Sequence, residues 1–206
     1  MSHSLDPNPC CAGLTYSLTA RVAMLGTQGV ASVAAGAAHQ VALQTWWLFS
    51  FFAAPLSMAV QSLIPRAVAA GKMVEARRTI WAQLGLSSVL NVVVTALTYT
   101  TPTLFPQTFT SDQGVIKLVQ SVTLWACLAQ AGVTYAQTLD GIYISREQLR
   151  HYAGNMVVST YACYLVFAFV PGLQGAWIGL ATYCVCKALF NLLALPPLLE
   201  GLKAAQ

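Results

Sequence analysis

Charged residues are scarce in this chain of 206 residues. Asp, Glu, Lys and Arg together make up 8% of the sequence, whereas 57% of the residues are hydrophobic and the mean hydropathy is +0.63. Soluble domains typically carry about 25% charged residues, so this composition excludes an ordinary water-soluble domain. The first residues also lack the basic segment and clean apolar run of a secretory signal, and we interpret residues 1–12 as a disordered or misassigned start.

The motifs of soluble enzymes are missing as well. The sequence contains no phosphate-binding P-loop, no His-Glu-x-x-His, no Gly-x-Ser-x-Gly and no dinucleotide-binding fingerprint. Its six cysteines have no zinc-finger spacing beside the scattered His3, His39 and His151. We therefore predict that the protein is not an enzyme and binds no metal and no organic cofactor. The net charge of +4 does not indicate nucleic acid binding, because the basic residues flank apolar segments.

Four long windows contain no charged residue at all. They run from Val22 to Pro65, Thr79 to Ser111, Leu118 to Leu139 and Tyr152 to Cys186. Each is longer than the roughly 20 residues with which an α-helix crosses the hydrocarbon core. The windows are continuously apolar, unlike the alternating segments of about ten residues in membrane β-barrels. The sequence thus predicts an all-α, polytopic transmembrane bundle of about six helices, with a truncated first helix.

Proline, glycine and polar clusters divide these windows into helices and loops. Pro55 falls inside the second apolar run and should kink a long helix. The Gly-rich passage that includes Gly36 should be a loop, and so should Asp140 to His151. A first helix begins near Gly13, and the other predicted helices are about 38–66, 79–102, 115–139, 152–170 and 176–196.

Basic residues are concentrated in alternate loops. One side of the predicted bundle holds Arg66, Lys72, Arg77, Arg78, Arg146, Arg150 and Lys203. The other side holds Lys117. The positive-inside rule therefore predicts that residues 66–78, residues 140–151 and a short tail, 201–206, face the cytosol or its topological equivalent.

Asp140 is the acidic residue best placed to act within the membrane. It ends a charge-free run, and an ionisable group at membrane depth is costly enough to suggest reversible binding of a proton or a cation. An interfacial turn at Asp140 and Gly141 is an equally good interpretation. Lys187 lies in another apolar run, and we expect its ammonium to extend to the headgroups rather than to pair with an acidic group.

Three short segments resemble multidrug and toxic compound extrusion (MATE) transporters. Residues 34–41 resemble the family's "AAHQ" passage, residues 109–116 its "FTSD" turn, and residues 136–142 its "LDG" passage. They occur in the family's order, across roughly Arg21 to Pro197. The closest resemblance is to the DinF-like branch, which includes plastid members.

This resemblance implies the C-terminal lobe of a two-lobed, twelve-helix antiporter, with 13–200 forming the six-helix lobe. It implies export of organic or xenobiotic solutes in exchange for protons or sodium, with Asp140 as the coupling residue. Gln44, Gln130, Tyr135 and Gln137 would line the cavity. The implied partners are small organic solutes, the lipid bilayer, and a second lobe or a homodimer partner. The implied location is the plastid envelope or the plasma membrane.

Two absences bear on whether this lobe transports by itself. No acidic residue occurs between Val22 and Pro65, where many members have one, and the cation site of the DinF-like branch lies mainly in the other lobe. Independent transport is therefore in doubt, and a non-transporting membrane subunit or scaffold that pairs with another lobe is the alternative.

Overall fold

The computed structural model describes residues 30–104, 107 and 111–204. These residues form helices and connecting turns, and they contain no strand, which confirms the predicted all-α fold. In chain order the helices are α1 (Val30–Ser50), a 3₁₀ turn (Phe51–Ala53), α2 (Ala54–Ala69), α3 (Met73–Leu104), α4 (Gln113–Ser145), α5 (Leu149–Phe169), α6 (Gly172–Leu193) and α7 (Leu195–Ala204). Residues 1–12, the partial first helix, and Phe109 and Thr110 of the FTSD turn lie outside the described residues.

Five segments of the described chain are long and apolar enough to cross a membrane. They are Val33–Ala69, Met73–Leu104, Gln113–Ser145, Leu149–Phe169 and Gly172–Gly201. The first contains most of α1, the 3₁₀ turn and α2, and the last continues from α6 into α7. The predicted polytopic bundle is thereby confirmed for five spans, and the predicted sixth falls outside the described residues.

The first span is interrupted close to Pro55. A 3₁₀ turn at Phe51–Ala53 separates α1 from α2, and Pro55 lies in the first turn of α2. A missing amide hydrogen is tolerated there because first-turn amides have no partner within the helix. The interruption therefore lies just before the proline rather than at it. The loop predicted around Gly36 is wrong, because Gly36 lies within α1.

Helix α4 extends past Asp140, where the sequence predicted a loop. The Asp112 carboxylate caps its start by accepting a hydrogen bond from the Gly114 amide at 2.7 Å. The helix then continues to Ser145, so only residues 146–148 connect it to α5. The predicted loop of residues 140–151 is wrong because the Asp140 side chain finds partners inside the bundle. Residues 201–204 of the predicted tail are the last four residues of α7.

Helix α4 lies at the centre of the bundle and packs against α1, α2, α3 and α6. Two glycines of α4 allow close contacts with α6 and α2. A Cβ atom at Gly132 would lie 2.7 Å from the Cys184 carbonyl carbon in α6, and one at Gly141 would lie 2.8 Å from the Ser57 carbonyl oxygen in α2. Small residues of this kind let transmembrane helices approach closely.

One end of the bundle carries most of the basic residues, and we call it the basic end. It comprises the connections after α2, α4 and α6. A buried cluster joins α2, α3, α4 and α7 near this end, and its members are Val60, Ile64, Ile80, Leu139, Ile142, Leu195 and Leu199. The helix directions thus agree with the predicted charge asymmetry, whereas the assignment of this end to the cytosol stays a prediction.

Candidate functional site

A buried ion pair joins α4 to α6. The Lys187 Nζ atom lies 2.6 Å from Oδ2 of Asp140, and the two side chains are only 9% and 8% exposed. The predicted extension of Lys187 to the headgroups is therefore wrong, because its ammonium is directed to an internal carboxylate. Such burial removes both charges from solvent at a cost of several kcal/mol each. The pair therefore needs further polar partners.

Asn191 supplies the second contact to Asp140. Its Nδ2 atom donates to Asp140 Oδ1 at 2.8 Å, so each carboxylate oxygen has one partner. Asn191 lies one helical turn after Lys187 in α6, and residues four apart project from the same helix face. The sequence spacing thus places an ammonium and an amide side by side against one carboxylate.

Asn155 connects α5 to the same group. Its Nδ2 atom lies 2.9 Å from the Lys187 carbonyl oxygen and 2.8 Å from Asn191 Oδ1. Its own Oδ1 accepts a hydrogen bond from the Ser159 hydroxyl at 3.0 Å. Asn155, Ser159 and Asn191 are all buried. We call Asp140, Lys187, Asn191, Asn155 and Ser159 the polar network.

Aromatic and imidazole side chains surround the polar network. The Lys187 ammonium lies 5.5 Å from the Tyr152 ring centre and 6.0 Å from that of Tyr183, within the range of cation–π attraction. The half-buried His151 contacts Asn191 Oδ1 through Nε2 at 3.1 Å and stacks on Tyr143 at 4.3 Å. Because Asn191 Oδ1 is an acceptor, His151 must donate this bond from Nε2.

The polar network lies inside the helices, near the basic end. Asp140 is five residues before the last residue of α4, and Lys187 is six before that of α6. At a rise of 1.5 Å per residue, these positions are roughly 8–9 Å from the helix ends. Asp140 therefore does not cap an interfacial turn, which was the alternative interpretation from sequence.

The four predicted cavity residues do not join Asp140 in one site. Gln130 is fully buried and accepts a bond from Ser50 at 3.3 Å, whereas Gln44 is exposed. Tyr135 donates to Ser88 of α3 at 3.0 Å. Gln137 lines a cavity of about 140 Å³, with Trp46, Trp47, Ser50, Phe51 and Val133. This cavity lies beside the 3₁₀ interruption of the first span.

Sequence reasoning missed the partners of Asp140. Lys187 was recognised as an intramembrane charge but assigned to the headgroups, and Asn191 was overlooked. The four-residue spacing of Lys187 and Asn191 was a usable signal, because it places two polar groups on one face of an apolar helix. The contact of that face with Asp140, 47 residues earlier than Lys187, required the tertiary structure.

The polar network can hold one positive charge against one negative charge in a site shielded from water. A proton on Asp140 would remove the attraction of its carboxylate for the Lys187 ammonium, and a second cation at the carboxylate would repel that ammonium. Among the described residues, no group of three or more His, Cys, Asp or Glu side chains could hold a metal ion.

Comparisons with known proteins place the chain in a family. The MatE family model matches residues 11–170, which include Asp140 but end before Lys187. Among similar proteins of Arabidopsis thaliana, Protein DETOXIFICATION 44, chloroplastic, is 30% identical over 154 residues, covering 73% of this chain and 30% of that protein. Protein DETOXIFICATION 47, chloroplastic, is 26% identical over 153 residues, covering 71% and 28%.

The matched part is therefore less than a third of the length of these relatives. The family match nevertheless covers more than half of this chain, and the described residues provide five spans long enough for a bilayer. The chain is an integral membrane protein that belongs to the MatE family.

Proposed function

We propose that this chain is the C-terminal lobe of a MATE-type antiporter of the DinF-like branch. In this proposal the assembled transporter exports organic solutes in exchange for protons or sodium ions. The observation that carries the proposal is Asp140, a buried carboxylate inside the central helix of the bundle. Ionisable groups at membrane depth are typical of ion pathways and proton relays.

Asp140 is suited to coupling because its charge is balanced by two contacts from α6, from Lys187 and from Asn191. Neutralising it with a proton would weaken its attraction to Lys187 of α6, and Asn155 links that part of α6 to α5. A change of charge would therefore alter the relative stability of two helix arrangements. An ion can drive transport only through such a difference in its affinity for the two states.

The cavity beside Gln137 supports an organic substrate. Gln137 Oε1 is buried there without a hydrogen-bond partner, and Trp46, Trp47 and Phe51 provide aromatic surfaces. Gln44 lies three residues before Trp47, on the same face of α1. These groups favour an aromatic or cationic solute that donates a hydrogen bond.

The size of this cavity supports the need for a second lobe. Its volume of about 140 Å³ is below the roughly 300–1,000 Å³ of pockets that enclose drug-sized ligands. We infer that another lobe, from a longer protein or a second copy of the chain, completes the cavity. The names of the relatives include "chloroplastic", so we infer the plastid envelope rather than the plasma membrane.

Uptake into lipid vesicles that contain the purified chain tests the proposal. We expect a proton or sodium gradient to drive uptake of a fluorescent aromatic cation, with the Asp140→Asn variant losing at least about tenfold in initial rate. Glu200→Gln is the matched control, since this exposed carboxylate lies at the basic end. Gradient-driven uptake that is unchanged in Asp140→Asn would remove Asp140 from the mechanism.

A non-transporting subunit or scaffold is the second candidate. It is favoured by the pairing of Asp140, whose charge Lys187 neutralises. Sizing by blue-native electrophoresis separates the candidates. A stable complex with another lobe but no flux would support the scaffold, whereas flux by a dimer of this chain would support the antiporter.

A further inference from the structure

We propose that Lys187 is a built-in counter-cation that occupies the ion-binding position at Asp140. A coupling proton or cation can then bind Asp140 only after the Lys187 ammonium leaves Oδ2. The importance of this competition for transport rests on the proposed function. The competition itself concerns two side chains and can be tested without transport.

The first step of the argument is that Asp140 has no oxygen left free. Lys187 Nζ occupies Oδ2 at 2.6 Å and Asn191 Nδ2 occupies Oδ1 at 2.8 Å. The carboxylate is only 8% exposed, so water cannot easily add further contacts. A cation entering at Oδ2 would meet the ammonium at close range, where like charges repel strongly in a poorly solvated site.

The second step is that two tyrosine rings lie close to the ammonium. The rings of Tyr152 and Tyr183 lie 5.5 and 6.0 Å from Nζ, on α5 and α6 respectively. Their π faces attract a cation at such distances. A small movement of the flexible lysine side chain can therefore move the ammonium from the carboxylate toward the rings without exposing it to lipid.

The third step is that the backbone at Lys187 is bonded to α5 independently of the lysine side chain. Asn155 donates to the Lys187 carbonyl oxygen and to Asn191 Oδ1. These bonds hold the α5–α6 contact at both residues that touch Asp140. Exchange of the ammonium for a proton can thus occur within a preformed site.

The other ionisable groups near the site do not replace Lys187. His151 and Tyr143 contact Asn191 rather than Asp140, and His39 of α1 faces Trp177 at 5.9 Å. Charged side chains of α2, α3 and α7 whose environment is described are exposed or half-buried near the helix ends: Arg66, Glu75, Arg77, Arg78 and Glu200. Among the described residues, Lys187 is the cation paired with Asp140.

Infrared spectroscopy of the purified chain in nanodiscs tests the proposal, because a protonated carboxyl group has a carbonyl band that a carboxylate lacks. Near neutral pH, we expect no Asp140 band in the unaltered chain. Replacing the ammonium by Lys187→Met should produce the band, since a buried carboxylate without a counter-cation takes up a proton. The band should disappear again in Lys187→Met combined with Asp140→Asn, which assigns it to Asp140.

Lys187→Arg is the matched control, because it keeps a cation and should show no band. If Lys187→Met does not fold, Lys187→Gln gives the same neutral replacement with an amide that can donate to Asp140. A band in the unaltered chain that Asp140→Asn removes would overturn the proposal, as would a folded neutral variant without a band. Neither result depends on flux, so failure of the antiporter proposal is distinguished from failure of this one.

Discussion

Helices α4 and α6 touch by two different means along their length. In the middle of the bundle, Gly132 of α4 lies directly against the Cys184 backbone, within an apolar cluster that includes Val133, Leu180 and Trp177. Toward the basic end, the same two helices are joined by charge and by an amide hydrogen bond. The first contact depends on shape and the second on electrostatics.

This difference separates permanent association from a contact that can change. Close packing of small residues has one good geometry, and it needs no ion to stabilise it. A buried ion pair is a weak source of net stability because desolvation offsets its attraction. The polar network is therefore better explained by a need for charge at this position than by a need to hold α4 against α6.

The largest expected effect comes from leaving one charge without its partner. In Lys187→Met, the free energy of unfolding in detergent should fall by about 3–5 kcal/mol at about pH 8. The loss should shrink at about pH 5, because the isolated Asp140 is then more easily neutralised by a proton. Titration with sodium dodecyl sulfate at both pH values measures it. Adding Asp140→Asn should restore much of the stability.

Lys72→Met is the control for that comparison. Lys72 forms a pair with Glu75 at 3.4 Å, but the side chains are 64% and 59% exposed. Such exposed pairs contribute little, so this variant should unfold like the unaltered chain. Equal losses of unfolding free energy in Lys187→Met and Lys72→Met would show that burial of the Lys187 charge does not cause the loss.

A larger side chain at Gly132 should disrupt the apolar contact between α4 and α6 by steric overlap. Gly132→Ala places a methyl group 2.7 Å from the Cys184 carbonyl carbon, and overpacking of this kind costs about 1–3 kcal/mol. The loss should be independent of pH, unlike that of Lys187→Met. Gly85→Ala in α3 is the matched control, because nothing lies within 4 Å of its added methyl group. A pH-dependent loss in Gly132→Ala would contradict the separation of the two contacts.

The sequence was sufficient for the helical spans but not for the site. Charge-free windows predict membrane helices well because lipid demands both apolar side chains and internally bonded backbone. The loop predicted at Asp140 was wrong because a charge beside Gly141 resembles a helix end when its partner is unknown. That partner, Lys187, lies on another helix, and only the packing of α4 against α6 brings the two together.

The smallest expected effect concerns a neutral contact on the other side of α4. Thr138, two residues before Asp140, shares a hydrogen bond of 2.7 Å with Ser87 of α3. In Ser87→Ala we expect a loss of about 0.6 kcal/mol, a typical value for a hydrogen bond between membrane helices. Thr138 retains its bond to the Thr134 carbonyl oxygen, so no donor is left unsatisfied.

Ser121→Ala is the control for this last measurement, because that exposed hydroxyl bonds only to its own helix, at the Leu118 carbonyl oxygen. Its effect on unfolding in sodium dodecyl sulfate should be close to zero. If Ser87→Ala instead cost as much as Lys187→Met, polar contacts of α4 in general would stabilise the bundle, and the charge at Asp140 would lose its distinct role. A small loss at Ser87 beside a large, pH-dependent loss at Lys187 would assign the effect to the buried charge.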